Sequence, residues 1–248
     1  RWHSGRELIR LQNWLLSGLL MCLVVTPAMS LSPPSFCAHP AARISAPAQN
    51  LPATGNLHAL VLFGTFEDDT VSSLTAPAFA DSLFLADLPG SLTHFFNEMS
   101  YGQYQLSGAV SAKMYRSRDG AADYIFRSGV SGNFGRFVEE IVDAADADID
   151  FGAYDNDGPD GEPNSGDDDG FVDALFIAVP EIPSGFLVSE ANGVAILGLS
   201  SNLPTDDLSQ NGGRILIRDD LRVGRPPGGT IQEGRTFAST VGIMAHEL

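Results

Sequence analysis

The chain is poor in cysteine, in basic side chains and in long apolar runs. It has two cysteines in 248 residues, and Cys22 lies within an N-terminal apolar segment. Removal of that segment would leave Cys37 without an intrachain disulfide partner. The 14 basic side chains are outnumbered by 31 acidic ones, for a net charge of −17. This balance argues against nucleic acid as a partner, because binding to it depends on neutralising phosphates.

The N-terminal apolar segment is typical of a secretory signal peptide. Residues 14–25 are apolar, follow Arg6 and Arg10, and precede the small residues around Ala28 and Ser30. The run is shorter than the roughly 20 residues that span a bilayer. We therefore predict a signal peptide at residues 1–30, a secreted protein, and no stable membrane insertion after cleavage. An uncleaved N-terminal membrane anchor is the alternative.

Hydrophobic patterns divide the rest of the chain into a linker and a globular part. Residues 31–56 are rich in proline and alanine and are interpreted as a linker or propeptide remnant. Within residues 57–248, strands are predicted at 57–63, 103–110, 172–179, 194–199 and 214–218. Helices are predicted at 92–99, 134–145 and 236–248, and residues 219–234 are predicted to form a loop. This order favours an α+β fold, a mixed sheet with helices packed against it.

An acidic, glycine-rich segment lies between the predicted helix 134–145 and the strand 172–179. It belongs to a stretch, residues 139–173, that holds 14 of the 31 acidic side chains. Calcium needs six to eight oxygen ligands, which carboxylates on a tightly folded loop can supply. We predict a structural Ca²⁺ site with ligands drawn from Asp155, Asp157, Asp167, Asp169 and Asp173. The match to an EF-hand is incomplete, and a solvated acidic loop is the alternative.

The last predicted helix carries His246 and Glu247. In the His-Glu-x-x-His motif of zinc proteases, two histidines on one helical face bind Zn²⁺, and the glutamate is the general base. The second histidine would fall two positions beyond Leu248. A surface His-Glu pair is the alternative, but charged residues on an otherwise apolar helix are unusual unless they have a function.

Several segments, in order, resemble the secreted metalloproteases of the immune inhibitor A type. They are Val-Leu-Phe-Gly-Thr-Phe-Glu-Asp at 61–68, Gly-Ser-Leu-Thr-His-Phe-Phe-Asn-Glu-Met-Ser-Tyr-Gly-Gln at 90–103, Tyr-Asp-Asn-Asp-Gly at 154–158 with the aspartates up to 173, and Gly-Ile-Met-Ala-His-Glu-Leu at 242–248. The resemblance implies a zincin-like N-terminal subdomain that ends in the active-site helix, structural calcium, and hydrolysis of extracellular proteins or peptides. It also implies that His246 is a Zn²⁺ ligand and Glu247 the general base. Residues 57–248 would then be a truncated catalytic domain, expected to be inactive alone.

Two other interpretations remain open. One is a secreted calcium-binding module with a degenerate active site that acts in adhesion or binding. The other is a surface protein anchored through residues 14–25. The residue two positions after Leu248 distinguishes a protease from a degenerate module.

Overall fold

A computed structural model describes residues 50–51, 53–126 and 131–248. The described part contains seven strands and three helices: β1 Gly55–Thr65, α1 Leu92–Met99, β2 Tyr104–Arg116, α2 Phe134–Ala145, β3 Ala174–Val179, β4 Gly193–Val194, β5 Leu203–Leu208, β6 Arg214–Ile217, β7 Gly228–Glu233 and α3 Phe237–Glu247. The predicted signal peptide, at residues 1–30, lies outside the described residues, as does most of the 31–56 segment. No helix in the described part is both long and apolar enough to cross a bilayer.

Five of the strands form one mixed sheet in the order β2-β1-β3-β7-β4. β2, β1, β3 and β7 are parallel, whereas β4 pairs antiparallel to β7 at the edge. β3 is buried over its whole length, as expected for a central strand with both faces covered. The predicted mixed sheet with packed helices is therefore confirmed. β5 and β6 form a separate two-stranded antiparallel sheet.

Helices cover both faces of the large sheet. Successive side chains of each strand point to opposite faces, so each strand contributes to two cores. On β1, Leu60 and Leu62 pack in the same core as Phe137 and Ile141 of α2. The intervening residues of β1 face the opposite core, which contains Leu92 of α1 and Met244 of α3. α1 and α3 therefore lie on one side of the sheet and α2 on the other.

Each of the three helices begins after a capping residue whose side chain accepts a hydrogen bond from an otherwise unpaired backbone N–H of the first turn. Ser91 accepts a hydrogen bond from the backbone N–H of His94 (3.0 Å), and Asn133 accepts one from Arg136. Thr236 and Ser239 cap α3 reciprocally, each side chain bonding to the other's backbone N–H. The predicted helices at 92–99, 134–145 and 236–248 are thus confirmed within a residue or two.

The prediction of a loop over residues 219–234 is wrong, because β7 occupies Gly228–Glu233 and lies between β3 and β4. Two glycines misled the interpretation, since glycine is usually unfavourable in strands. Here it is required by close packing. A Cβ on Gly228 would lie 2.2 Å from the carbonyl oxygen of Asp220, and one on Gly229 would lie 2.6 Å from Leu197 Cδ1.

Three smaller differences concern the strands. The strand predicted at 194–199 is only the two-residue β4, and β5 was not predicted. β1 begins at Gly55, and Leu51 is already held by backbone hydrogen bonds to Gly224 (2.8 Å) and Arg225 (2.6 Å). The ordered globular part therefore starts before residue 57.

Candidate metal-binding sites

The acidic segment folds back on itself between α2 and β3. Gly170 adopts a φ of +80°, a conformation that side chains rarely allow. Gly158 approaches Asp168 so closely that its N–H donates to Asp168 Oδ1 at 2.7 Å, and a Cβ there would lie 2.7 Å from that oxygen. Asn164 clips the loop to the β5–β6 sheet through the Leu208 carbonyl and the Gln210 N–H. The glycines thus allow distant aspartates to converge.

Three carboxylates of the predicted ligand pool meet in this loop. One oxygen from each of Asp155, Asp157 and Asp173 lies within 4.8 Å of the other two. Asp155 and Asp173 are buried, with 1% and 3% of their surface exposed, and Asp157 is half-buried. Carboxylates are almost never buried together without a charge partner. Among the described residues, these three form the only group of three or more His, Cys, Asp or Glu side chains close enough to bind one ion.

Backbone N–H groups fix the orientation of each carboxylate. Asp155 Oδ2 accepts a hydrogen bond from Gly170 (3.1 Å), and Asp157 Oδ1 accepts one from Asp169 (3.3 Å). Asp173 Oδ2 accepts one from Asn156 (3.0 Å). The second oxygen of each carboxylate is buried and has no hydrogen-bond partner among the described residues. Three oriented but unsatisfied oxygens fit the ligand set of a hard cation such as Ca²⁺.

The electrostatics of the cluster show the cost of bringing these carboxylates together without a cation. Burial, together with the charges of Asp157, Asp155 and Asp169, raises the pKa of Asp173 from 3.8 to about 8, although the hydrogen bond from Asn156 lowers it. Burial, followed by the charges of Asp168, Asp169 and Asp157, raises the pKa of Asp155 to about 7. The pKa of Asp157 is also raised, mainly by burial. A bound cation would offset the repulsion between the carboxylates and would give their buried oxygens a partner.

Asn156 is a functional candidate that the sequence analysis left out of the ligand pool. Its Oδ1 is buried and has no hydrogen-bond partner among residues 50–51, 53–126 and 131–248. Side-chain amide oxygens are ordinary Ca²⁺ ligands. The position of Asn156 between Asp155 and Asp157 was a signal that could have identified it.

The other two residues of the pool are placed differently. Asp169 forms a salt bridge with Arg218 at 3.2 Å, and its other oxygen accepts a hydrogen bond from the Phe171 N–H. Asp167 is exposed and bonds to the hydroxyl of Ser165. The structure therefore brings Asp155, Asp157 and Asp173 together, whereas Asp169 and Asp167 use their oxygens for other contacts.

A cavity of about 660 Å³ lies beside the cluster, and Asp157, Asp173 and Asn156 line it. His58 also lines the cavity; its ring stacks on Tyr154, and its Nδ1 lies 2.9 Å from Ser107 Oγ. Since three carboxylate oxygens and one amide oxygen are fewer than the six to eight that Ca²⁺ takes, the cavity gives room for water ligands.

The second candidate site is at the C-terminal end of α3. His246 is exposed, whereas Glu247 is buried with 1% of its surface accessible. Val241 and Met244 face the core, so the imidazole points away from the packed face of the helix. The N–H of Val223 donates to the Leu248 carbonyl at 3.1 Å and ties this end of α3 to the 219–225 loop.

Glu247 lies against the edge strand of the large sheet. A Cβ on Gly193 of β4 would lie 3.1 Å from Glu247 Oε1 and 2.5 Å from Ile243 Cγ2. Arg222, which makes two hydrogen bonds to Asp220 (2.9 and 2.6 Å), is close enough for the charge of Glu247 to contribute to its raised pKa. Glu247 therefore lies beside the backbone of β4, and its charge acts on Arg222.

The donor atoms on α3 fit one ligand position of a zinc site. His246 supplies one imidazole, and a tetrahedral catalytic site needs three protein ligands. In the described part of the chain, His246 belongs to no group of three metal-binding side chains.

Comparison with known proteins gives no further assignment. No protein-family profile matches the chain, and no curated protein is similar to it at a significant level.

Proposed function

We propose that this chain is part of a secreted zinc endopeptidase with a zincin-like catalytic fold, similar to the metalloproteases of the immune inhibitor A type. The observation that carries the proposal is the pairing of exposed His246 with buried Glu247 on a helix packed beside an edge strand. The resemblance of residues 61–68, 90–103, 154–173 and 242–248, in order, supports the same conclusion. The proposed function implies that the substrates are proteins or peptides outside the cell.

The resemblance implies the roles of the two α3 residues. His246 would hold Zn²⁺ together with ligands that follow Leu248. Bound zinc supplies a Lewis acid that polarises water and the scissile carbonyl at neutral pH. Glu247 takes the proton from the attacking water and passes it to the leaving amine, the usual work of a general base.

The acidic loop is proposed to hold a structural Ca²⁺ ion through Asp155, Asp157, Asp173 and Asn156. Buried, oriented and unsatisfied oxygens support this proposal. The ion would join the start of β3 to the loop that follows α2 and would stabilise one end of the sheet. The same geometry supports a second candidate function, a secreted calcium-binding module without catalysis, because the loop is complete without any zinc ligand.

Zinc binding by the intact gene product tests the first proposal and separates the two functions. We expect the residue two positions after Leu248 to be histidine and the purified protein to bind about one zinc per chain. His246→Ala should lower zinc affinity at least about tenfold, since one of three protein ligands is lost. His94→Ala, on α1, is the matched control and should bind zinc as the wild type does. Equal zinc binding by the wild type and His246→Ala would exclude His246 as a ligand and favour the calcium module.

A further inference from the structure

The cavity of about 660 Å³ beside the acidic loop has room for more than water ligands. Its volume lies within the roughly 300–1,000 Å³ of small-molecule sites. Residues of β1, β2 and the acidic loop line it. Two of them, His58 and Ser107, are paired across β1 and β2, so strand pairing holds this part of the wall in place.

The charges on the cavity walls disfavour an anionic ligand. Asp157, Asp160 and Asp173 line the cavity, and none of the described residues that line it is lysine or arginine. A divalent cation held by Asp155, Asp157 and Asp173 leaves these three carboxylates with a net negative charge. Phosphates and carboxylates are therefore repelled, whereas a neutral ligand is not.

Neutral polar side chains line much of the rest of the cavity. Asn50 and Asn56 have exposed amides, and the buried Oδ1 of Asn156 has no hydrogen-bond partner within the described part of the chain. Ser107 adds a hydroxyl group. An amide both donates and accepts hydrogen bonds, as a hydroxyl does. These groups therefore match a ligand that carries several hydroxyls.

A flat ring and apolar side chains lie among these polar groups. The His58 imidazole stacks on Tyr154, with ring centroids 5.5 Å apart and planes at 9°. Burial lowers the pKa of His58, so its ring is uncharged at neutral pH. Leu57 and Pro227 add apolar surface to the cavity. The C–H face of a sugar ring packs on surfaces of this kind, while the hydroxyls at its edge bond to amides.

Asp173 connects the cavity to the proposed calcium site. Its side chain is 3% exposed and lines the cavity, and its Oδ1 has no hydrogen-bond partner among the described residues. Asp157 and Asn156 also belong both to the cavity lining and to the proposed ligand set. The protein supplies fewer oxygens than the six to eight that Ca²⁺ takes, and the cavity has room for the others. Adjacent hydroxyls of a ligand can supply two of them in place of water.

We propose that this cavity binds a sugar unit, with two adjacent hydroxyls on the calcium ion and others on the amides of Asn50 and Asn56. The ring of His58 packs against the sugar. The proposal rests on the proposed calcium site and is independent of the peptidase function. It gives the chain a means of attachment to glycans.

Ligand-observed NMR on the intact gene product tests the site, with the methyl glycosides of mannose, glucose, galactose and N-acetylglucosamine as probes. In millimolar Ca²⁺ we expect saturation transfer to at least one glycoside, its loss in chelator and its return when Ca²⁺ is restored. Calorimetric titration with Ca²⁺ alone is the parallel measurement. Calcium binding without transfer to any of the four glycosides, or transfer that persists in chelator, overturns the sugar site alone. No calcium binding overturns the calcium site and the sugar site together.

Two variants locate the sugar in the cavity. His58→Ala and Asn56→Ala should each weaken glycoside binding roughly three- to tenfold, as the loss of one contact does, and leave calcium affinity unchanged. Asn202→Ala removes an exposed amide that does not line the cavity and should bind the glycoside as the wild type does. Glycoside binding that is unchanged in both His58→Ala and Asn56→Ala would place the sugar elsewhere and overturn the proposal.

Discussion

At the residue scale, the capacity of the acidic loop to bind a cation depends on which of its oxygen atoms have no hydrogen-bond partner among the described residues. Clustered aspartates in the sequence indicated a cation site, and three members of the predicted pool do converge. The sequence could not separate these from Asp169, because its salt-bridge partner Arg218 is 49 residues away in the chain. Asn156 was missed because the analysis counted carboxylates and not amide oxygens.

The raised pKa values of Asp155 (about 7) and Asp173 (about 8) predict how stability depends on pH. Without calcium, the folded protein binds more protons than the unfolded chain between about pH 4 and pH 8. Stability should therefore fall as pH rises through this window. Thermal unfolding in chelator is expected to show a decreasing Tm from pH 5 to pH 8, whereas millimolar Ca²⁺ should raise Tm most at pH 8.

Asp173→Asn checks that the cluster causes this behaviour. Since the variant removes one of the mutually repelling buried charges, its Tm in chelator at pH 8 should be higher than that of the wild type, and its response to Ca²⁺ smaller. Asp87→Asn changes an exposed acid elsewhere and should behave as the wild type does. A wild-type Tm that is indifferent to calcium at every pH would contradict the site.

At the element scale, strong periodic patterns were sufficient for the helices and the central strands, and weak ones were not. α2 was predicted from apolar residues that recur with the helical period, and β3 from a continuous apolar run of strand length. β7 was missed because Gly228 and Gly229 are typical of a turn. The close approach of neighbouring atoms, which requires glycine at both positions, is evident only in the folded chain. β4 is two residues long, and its pairing with β7 depends on tertiary contacts that no local pattern encodes.

The contact between β4 and α3 can be tested with two glycine substitutions. Gly193→Ala would place a methyl group 2.5 Å from Ile243 Cγ2 and 3.1 Å from Glu247 Oε1. We expect it to destabilise the fold by about 1–3 kcal/mol, as overpacked cores do. Gly242→Ala, on the exposed face of the same helix with no atom within 4 Å, should stabilise by about 0.5–1 kcal/mol. Equal effects in urea unfolding would show that β4 and α3 are not in close contact.

At the scale of the whole molecule, the α+β class could be predicted from the order of helices and strands, but the strand order β2-β1-β3-β7-β4 could not. That order follows from which strands pair across long connections. It is also what places β4 beside Glu247 of α3. The zincin-like identity of this arrangement and the zinc chemistry at His246 remain proposals, supported by resemblance and by the geometry of α3.

Proteolysis by the intact gene product, with and without Glu247→Gln, tests the central claim most directly. With zinc and calcium present, the wild type is expected to cleave unfolded casein. Glu247→Gln should keep its zinc and its fold but lose activity by about 10²–10⁴-fold, the usual contribution of a general base. Glu139→Gln, an exposed glutamate on α2, should be as active as the wild type. A Glu247→Gln variant that cleaves casein at the wild-type rate would contradict the account.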